Sequence, residues 1–184
     1  VNLGFSVLSQ EKIPEALKIS KDGLSKFPNH ADLCFLKGQI LGVNGKFSEA
    51  ETSFKEALRI KPRHAKSMQA ISIIHFLYGR WGEAWEAYEA RWETGQNKMR
   101  PFASELWEGQ DLHEKKLIIW GEQGVGDEIM FCSMLNDMQK KGAEIFCETD
   151  ARLLPLLKRS FPQVSFFERK DPLDPKYIYI YIYT

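Results

Sequence analysis

The sequence predicts an α-helical repeat array followed by a partial α/β domain with a parallel sheet. In the first half, small or turn-forming residues recur at intervals of 34 positions. The recurring residues are Gly4 and Gly38, Pro28 and Pro62, Gly45 and Gly79, and Ala16, Ala50 and Ala84. In the second half, β-prone apolar runs alternate with helical patterns. A period in this range is typical of stacked helical hairpins, and alternating strands and helices are typical of a parallel sheet.

Composition excludes several classes of function. Lysine plus arginine and aspartate plus glutamate each number 25 in 184 residues, so the net charge gives no reason to expect nucleic acid as a partner. No run approaches the roughly 20 apolar residues of a membrane span. The three cysteines Cys34, Cys132 and Cys147 are odd in number and form no C-x-x-C pair, which argues against a disulfide framework and a zinc site. We therefore expect a cytoplasmic protein without a bound metal.

The complete central repeat is Ala31 to His64, "ADLCFLKGQILGVNGKFSEAETSFKEALRIKPRH". Small residues at Gly38 and Ala50 allow two antiparallel helices to approach closely, and Gly45 supports the turn between them. The unit resembles the tetratricopeptide repeat at Gly38, Leu41, Gly45, Phe47, Ala50, Phe54, Ala57 and Pro62. The resemblance extends the array over residues 1–97, with a partial unit at 1–30, the complete unit at 31–64 and a degenerate unit at 65–97.

The ends of the array differ from the repeat pattern. Arg91 stands where the pattern has a small residue, and Pro101 blocks a further helix in the same register. By register, Val1 falls inside a helix, so we expect this chain to be a fragment of a longer array.

Tetratricopeptide arrays bind extended peptides on a concave face built from the first helix of each unit. Here that face is expected to display Phe35, Gln39, Val43, Lys66, Gln69, Ile73, Phe76 and Leu77. Family members that clamp a C-terminal carboxylate need several cations, and members that read a peptide backbone use an asparagine ladder; this sequence has neither. Phe35 and Phe76 have an alternative interpretation as residues that pack on neighbouring helices. The expected partners are proteins or peptides.

Residues 98–115 are predicted to be a linker, and residues 116–184 to be an incomplete Rossmann-like domain. The predicted strands are "KLIIWGE", "AEIFCET" and "VSFFER", and the predicted helices are "DEIMFCSMLNDMQKKG" and "DARLLPLLKRSFP". The final "YIYIYIY" is typical either of an edge strand or of a low-complexity end.

A glycine-rich segment, "WGEQGVGDEIMF", connects the first strand to the first helix of this domain. A dinucleotide fingerprint fails because Ile129 occupies its last glycine position, and a phosphate loop fails because Asp127 and Glu128 replace its lysine and hydroxyl residue. Two interpretations remain. One is a tight turn in which Asp127 caps free N–H groups, and the other is a loop that contacts a ligand.

Four segments together, "YEARW", "LWEGQDL", "LIIWGEQGVGDEIMF" and "GAEIFCETDARLLPLLKRSFP", resemble tetratricopeptide-repeat proteins fused to a glycosyltransferase-like domain of the GT-B fold. These are similar to bacterial relatives of O-linked N-acetylglucosamine transferases and of heptosyltransferases. The resemblance implies that a set of loop residues faces the cleft between acceptor and nucleotide sugar. They are Glu122, Gln123, Gly124, Gly126 and Asp127.

The resemblance also implies that the donor-binding half of a GT-B enzyme is missing from these residues. We therefore expect a peptide-binding module attached to an incomplete transferase, with no catalytic residue and no cofactor in this chain. A nucleotide sugar would be the donor substrate of the parent protein. The alternatives are an active transferase in the full-length parent and a pure scaffold.

Overall fold

The computed structural model divides the chain into two compact units, Val1–Met99 and Arg100–Thr184. The residues that the structure describes are 1–9, 12–95, 106–122, 124–169 and 178–181.

Paired helices make up the first unit. They are α1 (Asn2–Ser9), α2 (Ile13–Lys26), α3 (Ala31–Val43), α4 (Phe47–Ile60), α5 (Ala65–Leu77) and α6 (Trp81–Tyr88). The short turns between α3 and α4 and between α5 and α6 contain Gly45 and Gly79, with φ of +72° and +70°. Only glycine adopts this left-handed conformation without strain, which explains its recurrence at this place in the repeat.

Periodic small residues hold the helices of each pair together. Ala16, Ala50 and Ala84 are all 0% exposed. A Cβ atom at Gly38 would lie 2.6 Å from Cδ1 of Phe54, so α3 and α4 can approach this closely only with glycine at that position. The predicted helical hairpins and their register are confirmed.

The array ends with a change in helix type. After α6 the chain forms a 3₁₀ turn, Glu89–Glu93, in which Arg91 is fully buried. The Arg91 guanidinium lies 4.5 Å and 4.2 Å from the ring centres of Tyr88 and Trp92, and it donates to the carbonyl oxygen of Tyr88 at 3.1 Å. A cation between two aromatic faces thus occupies the place where the repeat pattern has a small residue.

The second unit is a parallel sheet with helices between its strands. Its elements are β1 (Lys116–Trp120), α7 (Val125–Phe131), α8 (Leu135–Lys140), β2 (Glu144–Thr149), α9 (Leu154–Ser160), β3 (Ser165–Glu168) and β4 (Ile178–Tyr181). The strand order is β3-β2-β1-β4, and every pair is parallel. This order matches the first four strands of a doubly wound sheet. The predicted alternation of strands and helices is confirmed, but the predicted first helix is divided into α7 and α8 by a 3₁₀ segment, Cys132–Met134.

The C-terminal alternation of tyrosine and isoleucine contributes a strand at the edge of the described sheet. β4 pairs in parallel with β1, with Leu117 opposite Ile178 and Trp120 opposite Tyr181. Of the two interpretations of this segment, the edge strand therefore applies to residues 178–181.

Part of the predicted linker packs on the α/β unit. Leu112 is 2% exposed within the core cluster that also contains Leu117 and Leu135, and Trp107 packs against the same cluster. The N–H of Glu144 at the start of β2 donates to the Lys115 carbonyl at 2.9 Å. The segment 106–115 thus belongs to the α/β unit, because an apolar side chain and a backbone hydrogen bond fix it there.

Candidate functional site

One candidate site lies along the first helices of the second and third repeats. We call it the first-helix face, and its residues are Gln39, Val43, Lys66, Gln69, Ile73 and Leu77. On α5 the members are spaced by three or four residues, which places them on one side of the helix. Val43, Ile73 and Leu77 are 62%, 61% and 57% exposed. Since α3 and α5 contact each other, their two rows of side chains lie on neighbouring helices.

Phe35, predicted for this face, is a core residue instead. It is 7% exposed, and its ring centre lies 5.8 Å from Phe5, 5.7 Å from Phe54 and 5.5 Å from His64. Aromatic rings from the first repeat and from its own repeat therefore enclose it. The prediction of Phe35 as a peptide contact is wrong, and its alternative interpretation as a packing residue is correct.

Phe76 is half-buried within a second aromatic cluster. Its ring lies 4.6 Å from Trp85 and 5.9 Å from Tyr88, both edge to face, and 6.0 Å from Trp81. These contacts join α5 to α6, and the partly exposed Phe76 stays a predicted peptide contact.

A charged network links α4 of the second repeat to α5 and the α5–α6 turn of the third repeat. Arg80 donates two hydrogen bonds to the Glu51 carboxylate, at 3.0 Å and 2.8 Å, and Lys55 Nζ lies 2.7 Å from Glu51 Oε1. His75 Nε2 is 3.5 Å from the same oxygen. Hydrogen bonds from Arg80 lower the pKa of Glu51 to about 2.

The second candidate site is the glycine loop, residues 121–127, which runs from the end of β1 into the first turn of α7. Its predicted members Glu122, Gly124, Gly126 and Asp127 lie between the carboxyl end of β1 and the first turn of α7, while Gln123 lies outside the described residues. Asp127 Oδ2 accepts a hydrogen bond from the Gly124 N–H at 3.3 Å. This bond closes the loop in the manner of a capping box, as expected for an acid at this place.

The three glycines of the loop have different roles. A Cβ atom at Gly121 would lie 2.6 Å from Glu128 Cγ, so this glycine is required by packing. A Cβ atom at Gly124 would meet Asp127 Oδ2 at an ordinary 3.7 Å, and one at Gly126 would meet no atom of the described residues within 4 Å. Neither Gly124 nor Gly126 has a positive φ. The local fold therefore does not demand glycine at these two positions.

A buried charged cluster under the loop was missed by sequence reasoning. Glu128 is 5% exposed; its Oε2 accepts hydrogen bonds from the Thr149 hydroxyl at 2.6 Å and the Asp150 N–H at 3.0 Å, and its Oε1 pairs with the Arg169 guanidinium. Arg169 Nε also lies 3.5 Å from the buried carboxylate of Glu148. Glu148 within an otherwise β-prone run was the signal that could have indicated a buried cation partner.

This cluster joins α7 to the carboxyl ends of β2 and β3. The cavity beside it has a volume of about 10 Å³, which is room for about one water molecule. Next to the cluster, Arg152 hydrogen bonds hold the pKa of Asp150 well below its usual range. Because the cavity is so small, we interpret the cluster as a set of contacts that holds α7 against the ends of β2 and β3, and not as a ligand pocket.

Two cysteine thiols meet in the wall of the same cavity. Cys132 and Cys147 are 3% and 4% exposed, and a hydrogen bond with Cys132, together with burial, raises the pKa of Cys147 well above its usual range.

Among the described residues, no group of three or more His, Cys, Asp or Glu side chains could hold a metal ion. No helix formed by the described residues is long and apolar enough to cross a membrane.

Comparisons with known proteins find two relatives, one of which is named as a repeat protein. No protein-family model matches the sequence. The protein FlbA of Caulobacter vibrioides is 32% identical over 170 residues, which cover 89% of this chain and 28% of FlbA. Human tetratricopeptide repeat protein 7B is 34% identical over 73 residues, which cover 40% of this chain and 9% of that protein. The chain thus spans less than a third of the length of either relative.

Solved structures show similarity to about half of the chain. The first tetratricopeptide domain of Spaghetti (RPAP3), bound to the HSP90 peptide SRMEEVD, has a TM-score of 0.48 at 21% identity, covering 53% of this chain and 78% of that one. A crystal structure of MamA has a TM-score of 0.45 at 19% identity, covering 50% and 53%.

The 34-residue repeat pattern and the helical hairpins show that the first unit is a helical solenoid of the tetratricopeptide type, and the human relative is named as a tetratricopeptide repeat protein. None of the four proteins compared is named as a glycosyltransferase. The transferase resemblance of the α/β unit therefore stays a prediction.

Proposed function

We propose that the tetratricopeptide unit binds an extended polypeptide segment along its first-helix face. The observation that carries this proposal is the exposure of Val43, Ile73 and Leu77, each more than half exposed on helices whose other large apolar residues are mostly buried. Exposed apolar side chains grouped on one surface mark interaction sites. Burial of each one by a partner would contribute about 1.5 to 3 kcal/mol.

The polar members of the face indicate what kind of segment it suits. The amides of Gln39 and Gln69 can both donate to and accept from a peptide backbone. Lys66 is the single cation of the face, which is too few for the carboxylate clamp of family members that bind acidic C-terminal tails. We therefore propose an internal segment that places apolar side chains against Ile73 and Leu77 as the bound element.

Selection of peptides from a random displayed library against the full chain provides a probe of known sequence. Calorimetry then gives the affinity of a selected peptide for the wild type and for Ile73→Ser. We expect the variant to weaken binding about tenfold or more, since a tenfold change corresponds to about 1.4 kcal/mol.

Phe27→Ser is the matched control, because Phe27 is also 61% exposed but lies at the end of α2 and outside the face. Equal affinities of Ile73→Ser and wild type, or an equal loss in Phe27→Ser, would contradict the proposal.

For the longer protein, we propose a second function, in which the α/β unit forms one side of the cleft of a nucleotide-sugar-dependent transferase. Two observations favour it. The order β3-β2-β1-β4 makes the carboxyl end of β1 the point where strand order reverses, which is where open parallel sheets bind ligands. The glycine loop begins there, and Gly124 and Gly126 leave its backbone uncovered without a packing reason. In these residues alone we expect binding without turnover.

Titration with UDP-, GDP- and ADP-sugars, followed by ligand-observed NMR, tests this second function. We expect saturable binding that Gly126→Val abolishes, because the added side chain enters space that a ligand would occupy. Gly82→Val is the control, since a Cβ atom at Gly82 in α6 also meets nothing within 4 Å. Absence of binding would leave the loop as a structural turn and would not affect the peptide-binding proposal.

A further inference from the structure

A second groove in the tetratricopeptide unit is separate from the first-helix face. It has a volume of about 560 Å³ and is lined by residues of α2, α3 and α4 and by Pro28 after α2. None of the residues of the first-helix face lines it. Its volume falls in the range of about 300 to 1,000 Å³ that is typical of ligand sites.

Apolar and cationic side chains share the lining of this groove. Leu24, Pro28 and Cys34 provide apolar surface. The charged lining residues are Lys37, Lys55, Arg59 and Glu56, so three cations face one carboxylate. This balance favours a partner that carries negative charge next to apolar groups.

The cations differ in their availability to a partner. Arg59 is held by Glu56 through hydrogen bonds of 2.8 to 3.1 Å, and Lys55 is paired with Glu51 at 2.7 Å. Lys37 has no ion-pair partner within the portion of the chain that the structure describes. It is therefore the lining cation that can receive a carboxylate without breaking an existing pair.

We propose that this groove docks an acidic amphipathic peptide segment of a partner protein, with a carboxylate on Lys37 and apolar side chains against Leu24 and Pro28. A phosphate backbone would leave the apolar lining uncovered, whereas the apolar side chains of an amphipathic peptide would bury it. Among the described residues that line the groove, none is an aromatic residue on which a base could stack. Charge complementarity together with this apolar lining thus favours the peptide over a nucleic acid.

Fluorescence anisotropy of the full chain tests the proposal with a short fluorescein-labelled peptide of glutamate and leucine and a twin in which lysine replaces glutamate. We expect saturable binding of the acidic peptide alone, weakened by added salt. Lys37→Glu is expected to reduce the affinity about tenfold or more. Lys18→Glu reverses an exposed cation of α2 that belongs to neither the groove nor the first-helix face, and it is expected to leave the affinity unchanged.

Three results would overturn the proposal. They are no saturable binding of the acidic peptide, a loss of affinity in Lys18→Glu but not in Lys37→Glu, and tighter Lys37-dependent binding of a single-stranded oligothymidylate than of the peptide. If Lys37→Glu loses its helical circular dichroism, Lys37→Gln removes the charge with a smaller change and decides the question. Peptide binding at the first-helix face is tested with a different peptide and with Ile73→Ser, so failure of one proposal is distinguishable from failure of the other.

Discussion

Glycine has different physical roles in the two units of this chain. In the repeats, Gly38 faces the Phe54 ring at a distance that excludes a side chain, and Gly45 has a left-handed backbone. In the glycine loop, Gly124 and Gly126 have neither constraint. A glycine that recurs with the repeat period thus reports packing or turn geometry, whereas an isolated glycine-rich segment does not reveal its reason without a structure.

The largest effect on stability is expected from a substitution at the close-packed Gly38. Gly38→Ala would place a methyl group within 2.6 Å of the Phe54 ring, and Phe54 is itself 3% exposed and cannot move aside easily. We expect a loss of about 1 to 3 kcal/mol in the free energy of unfolding. Urea denaturation followed by circular dichroism of the helices measures it.

Gly42→Ala is the control on the same helix, because a Cβ atom there meets no described residue within 4 Å. This variant is expected to be neutral or slightly stabilising, since alanine favours a helix over glycine. Equal destabilisation by the two substitutions would remove the distinction drawn between close-packed and open glycines.

An intermediate effect is expected within the glycine loop. Gly121→Ala would bring a methyl group within 2.6 to 2.8 Å of the Glu128 side chain. That side chain is held in place by its hydrogen bonds with Thr149 and Asp150 and by its ion pair with Arg169. We expect a loss of about 1 to 2 kcal/mol in the free energy of unfolding of the α/β unit. This loss would be measured as faster hydrogen exchange in β1 and β2. Gly126→Ala should leave exchange unchanged; protection lost in both variants would show that Gly126 is also a packing residue.

The smallest effect concerns charge between repeats. The pKa of Glu51 is about 2 in the folded protein and about 4.3 in an unfolded chain. The lowered pKa stabilises the fold above about pH 5, and this contribution is lost as the pH falls towards 2. Because Arg80 is partly exposed, screening limits the contribution to about 1 kcal/mol.

Urea denaturation at pH values between 5 and 3 checks this sign. Glu51→Gln is expected to flatten the fall in stability, and Glu56→Gln, whose partner Arg59 lies on the exposed surface, is expected to flatten it less. A steeper fall in Glu51→Gln than in the wild type would contradict the assigned direction.

The helical hairpins could be predicted from the sequence because their pattern is local. The surroundings of Phe35 and Glu128 could not, because they depend on residues far away along the chain. The 34-residue period predicted the hairpins and the buried alanines, because each helix pair repeats one packing problem. Phe35 was assigned to a surface because its register position usually faces a ligand, but Phe5 from the preceding repeat and His64 at the end of its own repeat cover it. From the sequence, Glu128 was considered as a residue that breaks a phosphate-loop pattern and not as part of an ion pair, because its partner Arg169 follows β3, far along the chain.

The three buried cysteines can be used to measure local unfolding of the chain. Cys34 is 4% exposed in the tetratricopeptide unit, and Cys132 and Cys147 are 3% and 4% exposed in the α/β unit. A thiol reagent reaches each site only when the surrounding structure opens, so alkylation rates at chosen denaturant concentrations measure the free energy of opening site by site. Mass spectrometry of the unlabelled and labelled cysteines would then show whether the repeats and the sheet open together or one after the other.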